Sequence, residues 1–67
     1  MAASLADGWR ILPEHQRHLV RRLLEQLRNS RNRTAQALGL SPHGLRRILT
    51  GLPLRPEEFS AVCAALG

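Results

Sequence analysis

The sequence contains no lysine, a single cysteine and only two aromatic side chains. Because Cys63 has no second cysteine to pair with, the chain cannot form an internal disulfide, and we expect its stability to come from packing. No apolar run approaches the ~18 residues that a membrane-spanning helix needs. Residues 1–7 lack the charged and apolar blocks of a signal peptide. These absences favour a protein of the reducing cytoplasm with no membrane partner.

Groups that carry catalysis or bind cofactors are also scarce. His15 and His18 are spaced for one helix face, but a metal site needs three or four ligands and the sequence offers no clear third. Glu57 and Glu58 are adjacent, so on a helix they point ~100° apart and do not form an acid–base pair. No segment alternates apolar and polar residues over five positions, which excludes a strand followed by a glycine-rich phosphate loop. In 67 residues we expect no enclosed pocket, no enzyme, no cofactor and no metal.

All ten basic residues are arginines, and they outnumber the five acids to give a formal net charge of +5. An excess of this size on a small domain is typical of nucleic-acid binders. The planar guanidinium fork also matches phosphate and guanine edges better than an ammonium does. Many small basic proteins have no nucleic-acid partner, so charge alone leaves both interpretations open.

The spacing of apolar residues predicts four helices and therefore a compact all-α domain. The helices are expected over residues 13–28, 31–38 and 42–50 and from residue 56 onwards. Residues 13–67 then form the domain, and residues 1–12 form a tail with an apolar anchor that packs either under the domain or against a second copy of it. Prolines open the first, third and fourth helices, serines cap the second and third, and glycines end the same two. These residues are Pro13, Pro42, Pro56, Ser30, Ser41, Gly39 and Gly51.

One side of each predicted helix is apolar, and these four stripes form the expected core. Cys63 belongs to the last stripe as a small core residue. The stripes consist of Leu19, Val20, Leu23, Leu24 and Leu27, then Ala35 and Leu38, then Leu45, Ile48 and Leu49, and finally Phe59, Val62, Cys63 and Leu66.

The second and third helices meet at a tight corner with the spacing of a helix-turn-helix. This motif joins two short helices by a turn of three or four residues that contains glycine. Its first helix carries a small residue where the second helix crosses, here Ala35, and its turn carries Gly39 four residues later. Apolar residues from both helices and the turn hold the pair together. They are Leu38, Leu40, Leu45 and Ile48.

With these positions filled, residues 30–67 resemble the Cro and phage-repressor (XRE-type) family of helix-turn-helix domains. The resemblance extends through the stretch RTAQALGLSPHGLRRILTGLPLRPEEFSAVCAALG, with its Thr50-Gly51 stop, a loop containing proline and a short last helix. Many members continue into a fifth helix, whereas this sequence ends after the fourth. The resemblance implies a lambda-repressor-like fold and sequence-specific DNA binding, usually as a repressor of nearby genes.

Short proteins that resemble this layout often belong to phages and other mobile elements. There they regulate their own operon, and regulators associated with anti-CRISPR genes are one example. The resemblance therefore implies a small autoregulatory repressor of this kind. No separate effector domain is evident, so we expect no small-molecule signal.

The side of the third helix that faces away from the core is the candidate DNA-reading surface. An arginine on a helix in the major groove can donate two hydrogen bonds to O6 and N7 of guanine. Arg46 and Arg47 point ~100° apart, so one can read bases while the other contacts phosphate, and we favour Arg46 for the bases. Gly44 either lets the backbone approach DNA closely or is tolerated on this outer side. The predicted base-contacting residues are His43, Arg46, Arg47 and Thr50.

Phosphate contacts are expected where helices begin, since free backbone N–H groups and the helix dipole favour anions there. Such contacts position a domain on DNA without reading its sequence. Three arginines of the first helix, at positions 17, 21 and 22, are expected to be a solvated face instead. Arg55 is added because it lies in the loop after the third helix, where the resemblance implies a contact with the DNA backbone. The predicted phosphate-contacting residues are Ser30, Arg31, Asn32, Arg33, Thr34, Ser41 and Arg55.

A single unit contacts few base pairs, so we expect a homodimer on an inverted repeat of double-stranded DNA, with its two units about one helical turn apart. The interface is expected to use the apolar anchor and the last helix, through Trp9, Ile11, Leu12, Phe59 and Leu66. Two other functions stay open: a protein-interaction module, such as the docking domain of an antitoxin, and an architectural or recombination factor that binds DNA with little sequence preference.

Overall fold

Four helices and no strand make up residues 8–67, the part of the chain that the computed structural model describes. They are α1 (Glu14–Gln26), α2 (Arg31–Leu38), α3 (Pro42–Thr50) and α4 (Pro56–Leu66). The predicted all-α class is confirmed over this range. The first helix is shorter at both ends than the sequence predicted. Pro13 precedes it with extended backbone (ψ 151°), and Arg28 and Asn29 leave it with positive φ angles of 58° and 61°.

The helix boundaries around the α2–α3 corner follow the local chemistry of the sequence. The hydroxyls of Ser30 and Ser41 each accept a hydrogen bond, at 3.3 Å, from the backbone N–H three residues later. Gly39 and Gly51 end α2 and α3 in the left-handed region, with φ angles of 71° and 75°. A side chain is strained in that conformation, so glycine is the favoured residue at both ends. The predicted caps and stops are confirmed.

The core lies between the four helices and draws at least one residue from each. Two of its leucines, Leu12 and Leu54, come from segments outside the helices. Packing under the domain was one of the two alternatives for the anchor that contains Leu12, whereas the sequence did not predict Leu54 in the core. Cys63, expected inside, is only half-buried, and its sulfur accepts a weak hydrogen bond from Gln16. The buried core residues are Leu12, Val20, Ala35, Leu38, Leu45, Ile48, Leu54 and Val62.

Residues 8–12 cross the domain and pair with the loop between α3 and α4, and we call them the strap. The backbone of Arg10 exchanges two hydrogen bonds with that of Leu54, at 3.0 and 2.7 Å. Leu12 follows and is 1% exposed. The prediction that Leu12 belongs to a dimer interface is therefore wrong, because its side chain is part of the core. Residues 1–7 of the expected tail lie outside the described residues.

Within residues 8–67, none of the helices combines the length and the apolar character that crossing a bilayer requires.

We predict that Leu54→Ala destabilises the domain by about 2–5 kcal/mol, because it leaves a cavity beneath the strap. Leu52→Ala is the matched control: it makes the same chemical change two residues away, at a side chain that is 52% exposed. Its effect should stay within about 0.5 kcal/mol. Thermal unfolding followed by circular dichroism measures both, and equal melting temperatures for the two variants would contradict the packing described.

Candidate nucleic-acid interface

The two sides of α3 differ sharply in exposure. Gly44, Leu45 and Ile48 are buried against the rest of the domain. His43, Arg46 and Thr50, three of the four predicted base-contacting residues, are exposed on the opposite side. Their spacing of three and four residues places them along one ridge of the helix. We call His43, Arg46 and Thr50 the α3 ridge.

Arg46 is the exposed cation at the middle of this ridge. Among residues 8–67, no hydrogen bond or ion pair involves its guanidinium group. The hydroxyl of Thr50 instead donates to the backbone carbonyls of Arg46 and Arg47, at 2.9 and 3.2 Å. That hydroxyl keeps a lone pair for an external donor. The five N–H donors of Arg46 are therefore available to a partner.

Arg47 has a different environment from Arg46, although the two are adjacent. Its Nη1 lies 2.6 Å from Oε1 of Glu58, and its side chain is only 25% exposed. Its guanidinium carbon is also 5.8 Å from the centre of the Trp9 ring. Arg47 thus joins α3 to α4 and to the strap. These contacts hold Arg47 against α4 and the strap, so its guanidinium group is less accessible to a base than that of Arg46.

Glu58 bonds to two residues on this side of the domain, and the sequence predicted neither bond. Its Oε1 also accepts a hydrogen bond from the backbone N–H of Arg55, at 2.9 Å. The sequence contained a signal for that second bond. Pro56 at the first helical position places Glu58 at the third, from which a glutamate commonly reaches back to the residue before the helix. Nothing in the sequence pairs Glu58 with Arg47 across two helices.

Gly44 lies on the inner side of α3, so both readings that placed it outside are wrong. A Cβ atom there would lie 3.0 Å from Oε2 of Glu58 and 3.4 Å from Cβ of Leu40. The absence of a side chain lets α3 approach the turn and α4 closely. Gly44 is a packing residue and does not face a ligand.

The sequence predicted Arg17 and Arg21 on a solvated face of α1. In the structure both lie beside the carboxyl end of α3. Nη2 of Arg21 donates to the carbonyl of Leu49 at 3.3 Å. Nη1 of Arg17 lies 2.7 Å from the position that a Cβ on Gly51 would occupy. Cations are stabilised at this end of a helix by its dipole and unpaired carbonyls. Arg21 therefore bonds to the end of α3, and Arg17 lies close beside Gly51.

Most of the predicted phosphate-contacting residues are accessible, with one clear exception. Thr34 is fully buried, and its hydroxyl donates to the carbonyl of Ser30 at 2.8 Å. The prediction that its side chain contacts phosphate is wrong, because the hydroxyl is buried and already bonded to the backbone at the start of α2. Ser30 is half-buried as the cap. The exposed members of the set are Arg31, Asn32, Arg33, Ser41 and Arg55.

The expected dimer interface is largely occupied by contacts within the chain. Trp9 and Phe59 are half-buried beneath arginines, with Arg10 5.0 Å from the Phe59 ring centre. Leu66 is half-buried beside an open groove between α1 and α4. Ile11, which is 49% exposed, is the one broadly exposed member of the predicted set.

His15 and His18 are both exposed on α1. Across residues 8–67, no three side chains of histidine, cysteine, aspartate or glutamate come together in a way that could hold a metal ion.

Glu58→Gln should destabilise the domain more than Glu57→Gln, by an additional ~1–2 kcal/mol. Both variants remove a carboxylate from the first turn of α4, and both lose about 0.3–1 kcal/mol of interaction with the helix dipole. Glu58→Gln alone weakens the bonds to Arg47 and to the Arg55 backbone. Urea titration of the two proteins measures the difference, and an equal loss would show that the ion pair adds nothing.

Comparisons of the chain with family models, with curated proteins and with solved structures found no match.

Proposed function

We propose that this protein is a sequence-specific DNA-binding transcriptional regulator, a small repressor that reads the major groove with α3. In this proposal α2 and α3 form a helix-turn-helix within a lambda-repressor-like domain. The observation that carries it is the α3 ridge. An unpaired arginine lies between a histidine and a threonine on the exposed side of a helix whose other side and carboxyl end are fixed.

The size and rigidity of α3 support this use. An α-helix with its side chains is ~10–12 Å across and the major groove is ~12 Å wide, so the nine residues of α3 can lie in the groove. On the inner side of α3, the side chains of Leu45 and Ile48 are fully buried in the core. A base-reading side chain needs such a rigid support, because a hydrogen bond to a base edge tolerates little displacement.

The start of α2 supports a phosphate contact beside the ridge. Arg31, Asn32 and Arg33 are exposed in its first turn. In residues 8–67, no hydrogen bond within the domain uses the backbone N–H groups of Arg31 and Asn32. Arginines and helix N-termini both bind phosphate oxygens, and these contacts orient a protein on the duplex.

The charge balance supports a polyanionic partner. The formal net charge is +5, and the Arg47–Glu58 pair is the single ion pair within residues 8–67. Most of the arginines are thus not neutralised by a carboxylate in the described part of the chain. Release of counterions from DNA phosphates would make binding strongly dependent on salt.

Arg46→Ala should lose the preference for one base of the bound sequence. Wild-type protein is first used to select a sequence from random duplex DNA, and the affinity of both proteins is then measured. The expected loss at the selected sequence is about 1–3 kcal/mol, or roughly 5- to 150-fold. Arg22→Ala is the matched control, because it removes the same charge from an exposed position on α1.

The outcomes separate this proposal from the alternatives. If wild-type protein binds duplexes without enriching any sequence, the architectural role is favoured instead. Absence of duplex binding even at low salt would reject DNA binding and favour a protein-interaction module. An equal loss for Arg22→Ala and Arg46→Ala would show that α3 does not read bases.

We further propose that the regulator binds an inverted repeat as a homodimer, since one α3 helix covers only a few base pairs. Sedimentation at high micromolar concentration should show a dimer. Ile11→Ser should shift it towards the monomer, because Ile11 is the broadly exposed apolar residue of the predicted interface. A wild-type monomer at that concentration would contradict the homodimer while leaving DNA binding itself untouched.

A further inference from the structure

We infer that Trp9 is a positioning residue that holds Arg55 ready to bind a DNA phosphate beside α3. The inference rests on the proposed function, and it assigns to the strap a part in DNA affinity. Trp9 itself is not required to contact DNA. It acts through the guanidinium group of Arg55.

Two arginines lie against the Trp9 ring. The guanidinium carbon of Arg55 is 5.7 Å from the ring centre and that of Arg47 is 5.8 Å from it. Both distances fall within the ~6 Å over which a cation is attracted to an aromatic ring. The half-buried indole therefore contacts cations from two separate segments, the helix α3 and the residue before α4.

The two arginines differ in what else they bind. Arg47 has its charge paired with the carboxylate of Glu58. Arg55 uses only its backbone N–H on that carboxylate. Within residues 8–67, no hydrogen bond or ion pair involves the guanidinium of Arg55. Arg55 is thus an exposed cation held against an aromatic face, with its hydrogen-bond donors available to an anion.

The strap fixes Trp9 in register with Arg55. The next residue, Arg10, is bonded to Leu54 through both backbone groups, and Leu54 directly precedes Arg55. On the other side, a Cβ on Gly8 would lie 3.0 Å from Cγ of Pro56, the residue that follows Arg55. Trp9 is therefore held between two contacts that flank Arg55 in sequence.

This arrangement has a consequence for phosphate binding. A free arginine side chain samples many rotamers and loses that freedom when it binds. Stacking on a fixed ring restricts those rotamers beforehand, so less entropy is lost on binding. Removing the ring should weaken the contact of Arg55 with phosphate even though the charge remains.

The test is a double-mutant cycle on the selected duplex, with affinity measured from low to moderate salt. Arg55→Gln should lower affinity several-fold and reduce the slope of log K against log salt by about one, the amount expected for one phosphate contact. Trp9→Leu should lower the affinity in the same direction. In the Arg55→Gln background, Trp9→Leu should have no further effect, because its action passes through Arg55.

Two further variants separate positioning from general damage. Trp9→Phe keeps an aromatic face and should recover most of the affinity lost in Trp9→Leu. If Trp9→Leu does not fold, Trp9→Met takes its place in the cycle, because it also removes the ring but leaves a longer apolar side chain to fill the site. Arg10→Gln removes an arginine that also lies over a ring, at Phe59, and should leave the salt slope unchanged.

Several results would overturn the inference. The first is wild-type affinity in Trp9→Leu. The second is an equal loss of affinity from Trp9→Leu in the wild-type and Arg55→Gln backgrounds. The third is a change of salt slope in Arg10→Gln as large as that in Arg55→Gln. If wild-type protein binds no duplex, the proposed function fails as a whole. If it binds and Arg46→Ala loses base preference while Trp9→Leu matches wild type, the positioning role alone fails.

Discussion

The bond between Arg47 and Glu58 connects the parts of the domain that the proposed function needs. It ties α3 to α4, while the same carboxylate closes the start of α4 through the backbone of Arg55. Both arginines then rest against Trp9 of the strap. In a core built from so few side chains, this polar contact supplements the apolar packing that fixes the orientation of α3.

The ten arginines do not form a uniform positive surface. Arg17 and Arg21 lie at the end of α3, Arg47 is paired with a carboxylate, and Arg10 lies over Phe59. These arginines lie against other parts of the domain, since guanidinium groups can bind carbonyls, carboxylates and rings alike. Net charge therefore overstates the cation surface that a nucleic acid would meet. The exposed arginine on the α3 ridge is the more specific evidence.

The local features of this fold were predictable, and the long-range ones were not. Ser30, Ser41, Gly39 and Gly51 act on backbone groups within a few residues, so their effect can be read from neighbouring positions. The burial of Leu54 depends on the strap, which is distant in sequence and has no helical periodicity. For the candidate site, periodicity placed His43, Arg46 and Thr50 outside. It could not show that Arg47 pairs with Glu58 or that Gly44 packs against Glu58.

The pairing of Arg10 with Leu54 joins segments near opposite ends of the described chain. Contacts between such distant segments form only when the intervening residues are already arranged, because closing a long loop is entropically costly. Leu12 and Leu54 enter the core together with residues of all four helices. Folding should therefore be cooperative over the whole of residues 8–67, and a fragment limited to α2 and α3 would lack the support that keeps its exposed helix rigid.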